Sequence, residues 1–195
     1  DTYNMVIEDG LLTGDFAKLS DAAKRFRDDH VAHAAAINSL VVSLGGKAHE
    51  CANERVDRLY IQPALKLITT EGNEDTSRDV VALAHALENL ATQTYQGVVG
   101  SLTSPKLRGD AMRIAHDEAR HAVVLAQVLN PGFASVGPTV NEATGKANVA
   151  SVPSAFGALA IIQVSLGKAN AEGVKPSLNM ETPSLNGLIY DNVTC

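Results

Sequence analysis

Glu118-Ala119-Arg120-His121 sets a carboxylate and an imidazole three positions apart, on one face of a helix. Carboxylate oxygen and neutral imidazole nitrogen form a donor set that iron, manganese and zinc accept. The pair interrupts an apolar stripe, Ile114, Glu118, His121, Leu125 and Val128, spaced four, three, four and three, which is the inward seam of a packed helix. Ionisable groups in such a seam are costly unless they are paired or bound to metal. Two other stripes carry the same anomaly. Phe26, His30, His33, Ile37, Leu40 and Leu44 repeat at helical spacing, as do Val81, Ala84, Glu88, Ala91, Tyr95, Val98 and Leu102. Glu88, Glu118, His121, His33 and His30 are therefore the candidate metal ligands. His85, one turn before Glu88, is a candidate to join or support them. Asp29 lies one turn from His33, and Asp117 one turn from His121, where each carboxylate could orient an imidazole. A metal-free reading stands beside this one: Glu118 pairs with His30 or His33 across the interior, and each satisfies the other. Tyr3 and Tyr95 read as packing residues with hydrogen-bonded hydroxyls.

These side chains must be positioned by helices. Residues 1 to about 13 read as a short helix, broken at Gly14-Asp15. A second helix spans about 20–44 and ends at Gly45-Gly46. A connector over 46–75 holds a short helix around 54–68, interrupted by Pro63. A third helix, capped by Thr76 or Ser77 with Asp79 favouring its dipole, runs to about Leu102. A fourth begins at Ser104-Pro105 and stops at Asn130-Pro131. Two helix pairs with short internal turns, joined by a long connector, predict an all-α, antiparallel four-helix bundle with a long crossover between helices 2 and 3. The pairs also repeat one another. Thr2-Tyr3-Asn4 corresponds to Thr94-Tyr95-Gln96, and Asp29 to Ala34 aligns with Asp117 to Ala122, placing His30 opposite Glu118 and His33 opposite His121 in register.

The divide falls near Asn130-Pro131-Gly132: 1–130 reads as the helical bundle and 131–195 as a low-charge extension. That extension includes the apolar run 155–162, which reads as a strand or as a segment pressed on the bundle. An extension so poor in charge is expected to wrap the bundle or reach a neighbouring subunit, giving a homo-oligomer or larger assembly. A net charge of −6 without a basic run argues against a nucleic-acid partner, and no apolar run is long enough to span a membrane. Cys51 and Cys195 are too few for a disulfide framework or a zinc cluster. They are either bridged, which fits an oxidising, extracytoplasmic setting, or two free thiols. Nucleophile-elbow, phosphate-loop and CxxC patterns are absent from the sequence. The triplet His49-Glu50-Cys51 and the sequon at Asn192 are short enough to arise by chance.

The segments Phe26-Arg-Asp-Asp-His30-Val-Ala-His33-Ala, Leu87-Glu88-Asn-Leu-Ala-Thr-Gln-Thr-Tyr95 and Asp117-Glu118-Ala-Arg-His121-Ala resemble the ferritin-like superfamily, and within it the exported actinobacterial-type ferritin-like domain proteins. The resemblance covers roughly 1–135 and, more weakly, Asn170-Ala-Glu-Gly173 and Glu181-Thr-Pro-Ser184 in the extension. It implies a dinuclear metal site with one Glu from each of two helices and Glu-x-x-His from each of the other two. Glu88 would be the third-helix Glu, Glu118 and His121 the fourth-helix pair, and His33 the second-helix His. Two departures follow. His30 stands where the second helix should carry a Glu, which removes the usual bridging ligand. The first-helix Glu should lie seven residues before Tyr3, upstream of Asp1, and Glu8 is displaced from that register by about 18 Å along the axis. The resemblance thus implies iron, manganese or zinc in the core and a role in handling iron or peroxide, with a full two-metal oxidase as the narrower version. The alternative is a degenerate metal-free ferritin-like scaffold with no cofactor, serving as a structural or assembly subunit.

Overall fold

Glycines set where the first two helices stop. In the computed structural model the described residues are 2–131, 140–141, 146–147 and 161–181. Helix α1 (Thr2–Glu8) is shorter than the sequence predicts, because Gly10 takes the left-handed conformation (φ +61°) that an α-helix cannot continue through. A 3₁₀ turn, Gly14–Leu19, then feeds directly into α2 (Ser20–Ser43). Gly45 at φ +82° closes α2, with the Gly46 N–H donating to Val41 O at 2.9 Å. In the connector, Asn53 caps α3 (Glu54–Val56) by accepting from Arg55 and Val56 N–H. A π turn, Asp57–Ile61, follows and delivers Pro63 into the first turn of α4 (Gln62–Ile68), where its missing N–H costs nothing. Residues 54–68 are thus helical throughout, as expected, and the regular α-ladder is interrupted by the π turn just before Pro63.

The two longest remaining helices are α5 (Thr76–Val99) and α6 (Pro105–Leu129). Ser104 Oγ accepts from Leu107 N–H, and Pro105 occupies the first turn of α6 as its spacing predicted. The expected cap of α5 is not formed. Asp75 stands at the capping position without a side-chain capping bond, and Ser77 instead donates to Leu11 O (2.7 Å) and accepts from Thr13 N–H (2.9 Å), tying the α1–α2 linker to α5.

Directions follow from the contacts. Along α2 and α6, partner numbers fall on one helix as they rise on the other (His33 with Asp117, His30 with Glu118, Asp29 with His121), so the two run antiparallel. Tyr3 with Glu88 and Leu11 with Ser77 set α1 antiparallel to α5 in the same way. The most extensive helix contact is between α5 and α6. Helix α2 is the loosest. Of its 24 residues only Ala23 and Phe26 are buried; of the positions read from the spacing as inward, Leu40 is half-buried and Leu44, just beyond the helix, is exposed.

The C-terminal part supplies strands β1 (Val140–Asn141) and β2 (Lys146–Ala147), paired antiparallel, and a second antiparallel pair, β3 (Ile161–Ser165) and β4 (Ser177–Glu181). In the β3–β4 register Ile162 faces Met180 and Val164 faces Leu178 on one side, while Gln163 bonds Asn179 and Ser165 bonds Ser177 on the other. The apolar side packs on the helices: Ile162, Leu166 and Met180 join Ala64, Ile68 and Leu83 in one core, all but Leu83 at 0% exposure. Truncating Ile162 to Ala there would cost about 2–5 kcal/mol. The earlier part of the 155–162 run, the residues after Glu181 in the resembling segment, Asn192 and Cys195 lie outside the described residues. Cys51 is disulfide-bonded and carries no free thiol.

Candidate metal centre

Glu88 (α5), Glu118 and His121 (α6) are buried at 2%, 2% and 5% exposure, while His30 and His33 (α2) close the cluster from its wetter side, both half-buried. His30 Nε2 lies 2.8 Å from Glu118 Oε2 and 3.4 Å from Glu88 Oε2. His121 Nδ1 lies 3.3 Å from Glu88 Oε2 and 3.5 Å from Glu118 Oε2. His33 Nδ1 takes the other Glu118 oxygen at 3.0 Å. Tyr3 donates its hydroxyl to Glu88 Oε1 at 2.5 Å. All five residues singled out by the seams thus meet at one depth, and three of the four helices α1, α2, α5 and α6 contribute them while the fourth supplies the tyrosine.

The outer carboxylates work differently from the sequence reading. Asp29 does not orient His33 on its own helix, nor Asp117 His121. They cross over: Asp29 Oδ2 meets His121 Nε2 at 3.3 Å and Asp117 Oδ2 meets His33 Nε2 at 3.5 Å. Antiparallel pairing brings residue 29 level with residue 121, which spacing along one helix cannot reveal. His85 is buried but turns away, its Nε2 3.2 Å from Asn89 Nδ2, outside the cluster. Phe26 stacks on His121 at 4.0 Å between centroids and Tyr3 on His30 at 5.6 Å, fixing both imidazole planes.

Electrostatics follow from burial opposed by partners. Burial works against a charged His30 and His121, but the hydrogen bonds and charges of Glu118 and Glu88 outweigh it, raising them to about 10 and about 9. Burial likewise works against ionised Glu118; bonds from His121 and His30 outweigh it and hold the carboxyl far below its usual range. His85, without such a partner, is pushed down by burial to about 4. Burial, then the charge of Glu88, raises the Tyr3 hydroxyl well above its ordinary value, and burial with Glu118 raises Tyr95 to about 12.

His30, Glu88, Glu118 and His121 can each offer one ligand atom, all within 4.8 Å of one another. Two carboxylates offset the charge of one divalent cation, and two imidazoles complete a mixed oxygen–nitrogen set suited to iron, manganese or zinc. The donor set therefore fits one ion. It does not fit the two-metal version, since His30 replaces the carboxylate that would bridge a second ion.

A second buried polar site was not singled out from the sequence. Asp79, at 2% exposure, accepts from Gly167 N–H (2.7 Å), Asn73 Nδ2 (3.0 Å) and Lys175 Nζ (2.7 Å), fastening the β3–β4 hairpin to the start of α5. The signal was present: Asp79, Leu83, Ala86, Leu90 and Gln93 form another stripe of α5 at spacings of four, three, four and three. All five are buried, and the Gln93 amide is unpartnered among the described residues.

Carboxylates and imidazoles converging inside antiparallel helices define a class of helical proteins with an internal ligand cluster. The chain belongs to the ferritin-like domain family, whose sequence model matches residues 7–131. No curated protein and no solved structure matches the chain. No helix among the described residues is long and apolar enough to cross a membrane.

Proposed function

We propose that this ferritin-like protein binds a single divalent transition-metal ion, iron foremost and otherwise manganese or zinc, through His30, Glu88, Glu118 and His121. The observation that carries the reading is the convergence of four ligand atoms within 4.8 Å, three of the four residues buried. Asp29 on the far nitrogen of His121 is the outer carboxylate that orients a ligating imidazole. His33 and Tyr3 hold the second oxygens of Glu118 and Glu88 and so fix both carboxylates. A bound ion would supply Lewis acidity or redox capacity at this point; the residues orient it, neutralise its charge and shield it from bulk water. In the same reading α1, α2, α5 and α6 are the four-helix bundle and 46–75 is its long crossover, supported by the antiparallel contacts of α1 with α5 and of α2 with α6. The disulfide at Cys51 favours an exported, extracytoplasmic setting.

Metal analysis of the purified full chain tests this. The expected result is close to one ion per chain, lost in Glu118→Ala. A wild-type content near zero after incubation with ferrous, manganous and zinc ions would overturn it.

One observation favours a second reading, the degenerate metal-free scaffold. Every ligand atom already has a partner at 2.8–3.5 Å within the cluster, so the groups satisfy one another without an ion. In that reading the extension serves assembly. The full chain then forms a stable oligomer that dissociates when residues 135–195 are removed, as sedimentation would record.

A further inference from the structure

A cavity of about 400 Å³ lies between α1, α2 and α5, beside the ligand cluster. Close-packed interiors leave few voids larger than a water molecule, and this volume is in the range of small-molecule sites. Most of its wall is apolar, with Phe26, Val81 and Leu87 as large surfaces and Ala23 and Ala84 leaving the room. Water gains little in such a space. One end is polar, where His30 and Glu88 reach the wall. The Arg27 guanidinium also borders the cavity, but its Nε and Nη2 both donate to Asp28 Oδ1, at 2.9 and 2.7 Å, so its charge is already met.

These features define an occupant. At the polar end the charges of His30 and His121 are already met by Glu88 and Glu118, so an anion finds no unpaired cation there. A neutral hydroxyl, by contrast, can donate to Glu88 or accept from His30 while its chain lies on the apolar wall. We propose that the cavity binds a neutral, largely hydrocarbon molecule ending in one hydroxyl, with the hydroxyl at Glu88 and His30 and the chain along Phe26, Val81 and Leu87. The site shares His30 and Glu88 with the proposed metal centre, but binding needs no metal, so a titration with chelator present tests it apart from the metal reading.

The test is a fluorescence titration of the full chain with the neutral probe N-phenyl-1-naphthylamine in the presence of EDTA, followed by displacement with 1-decanol and with decanoate. Saturable binding at one site is expected, with 1-decanol displacing the probe at a concentration lower by about tenfold or more than decanoate. Ala84→Phe fills the cavity, and Ala34→Phe blocks its mouth from an exposed position on α2. Each should weaken the probe by about tenfold or more, while Val124→Phe, on the exposed face of α6, leaves it unchanged. If Ala84→Phe loses helical circular dichroism, Ala34→Phe decides alone. The proposal is overturned by non-saturable binding, by folded cavity variants that bind as the wild type does, or by decanoate competing as well as decanol.

Discussion

Two buried polar networks share α5, and they are built on opposite principles. At its first turn, Asp79 is surrounded by fixed donors: a backbone N–H, an amide and an ammonium group. Nothing there can be given up without leaving a buried charge unmet, and the network holds a hairpin in place. About two and a half turns on, Glu88, with Glu118 of α6, faces imidazoles, which can release their protons and keep their lone pairs. In the metal-binding reading, the same atoms that satisfy each other in the absence of a ligand become a cation site when the protons leave. Satisfied polar groups are structural when their donors are permanent and are candidate sites when their donors can be exchanged.

The widest separation between the networks should come from pH. A cation must displace protons from His30 and His121, so its apparent affinity rises with pH toward their values of about 10 and about 9 and levels off above them. Calorimetric titration with zinc should show a gain of about tenfold or more per pH unit through the neutral range. A flat profile would break the distinction. With chelator present the sign reverses. Folded-state values raised above 6.5 mean stability that is fully present below that value and lost as pH climbs through 9 to 10, whereas the depressed Glu118 contributes stability above its ordinary 4.5 that is lost on acidification. Thermal denaturation across pH reads both arms.

Asp79→Ala is the next largest effect. It strands the Lys175 ammonium and two N–H donors, at an expected cost of about 3 kcal/mol, the low end for a broken buried pair because Asp75 also reaches Lys175 at 3.0 Å. Urea denaturation measures it, and metal content should not change; if it does, the networks are not separate. Gly167→Ala should cost about 1–3 kcal/mol, since the residue has φ +87° and a Cβ there would lie 2.8 Å from Leu67 O. The smallest change runs the other way: Gln93→Leu removes an amide unpartnered among the described residues and should stabilise by about 1 kcal/mol.

Much of this was legible in the sequence because seams report burial. Glu88, Glu118, His121, His30 and His33 interrupt apolar stripes, and the structure brings them together. What lies between helices was not legible. Nothing in the spacing of Asp29 and His33 indicates that Asp29 serves His121, because inter-helix register is a tertiary fact. Asp79 and Gln93 were missed because one seam was sought per helix, whereas α5 is covered on two sides, by α6 and by the β3–β4 hairpin. Helix α2 erred in the opposite direction: Leu44 fits the stripe yet is exposed, and Leu40 is only half-buried, because a period specifies a face and not how fully anything covers it.

That uneven cover makes α2 a lever. Its first turns are pinned by Ala23 and Phe26, while its far half has no buried residue and is tied to the connector through Asn38, which bonds His49 twice; His30 and His33 sit between the pivot and this outer arm. Swinging the arm outward sacrifices little apolar contact and lifts two imidazoles off Glu118 together. Backbone amides beyond His33 should therefore exchange with deuterium sooner than those of α5 or α6.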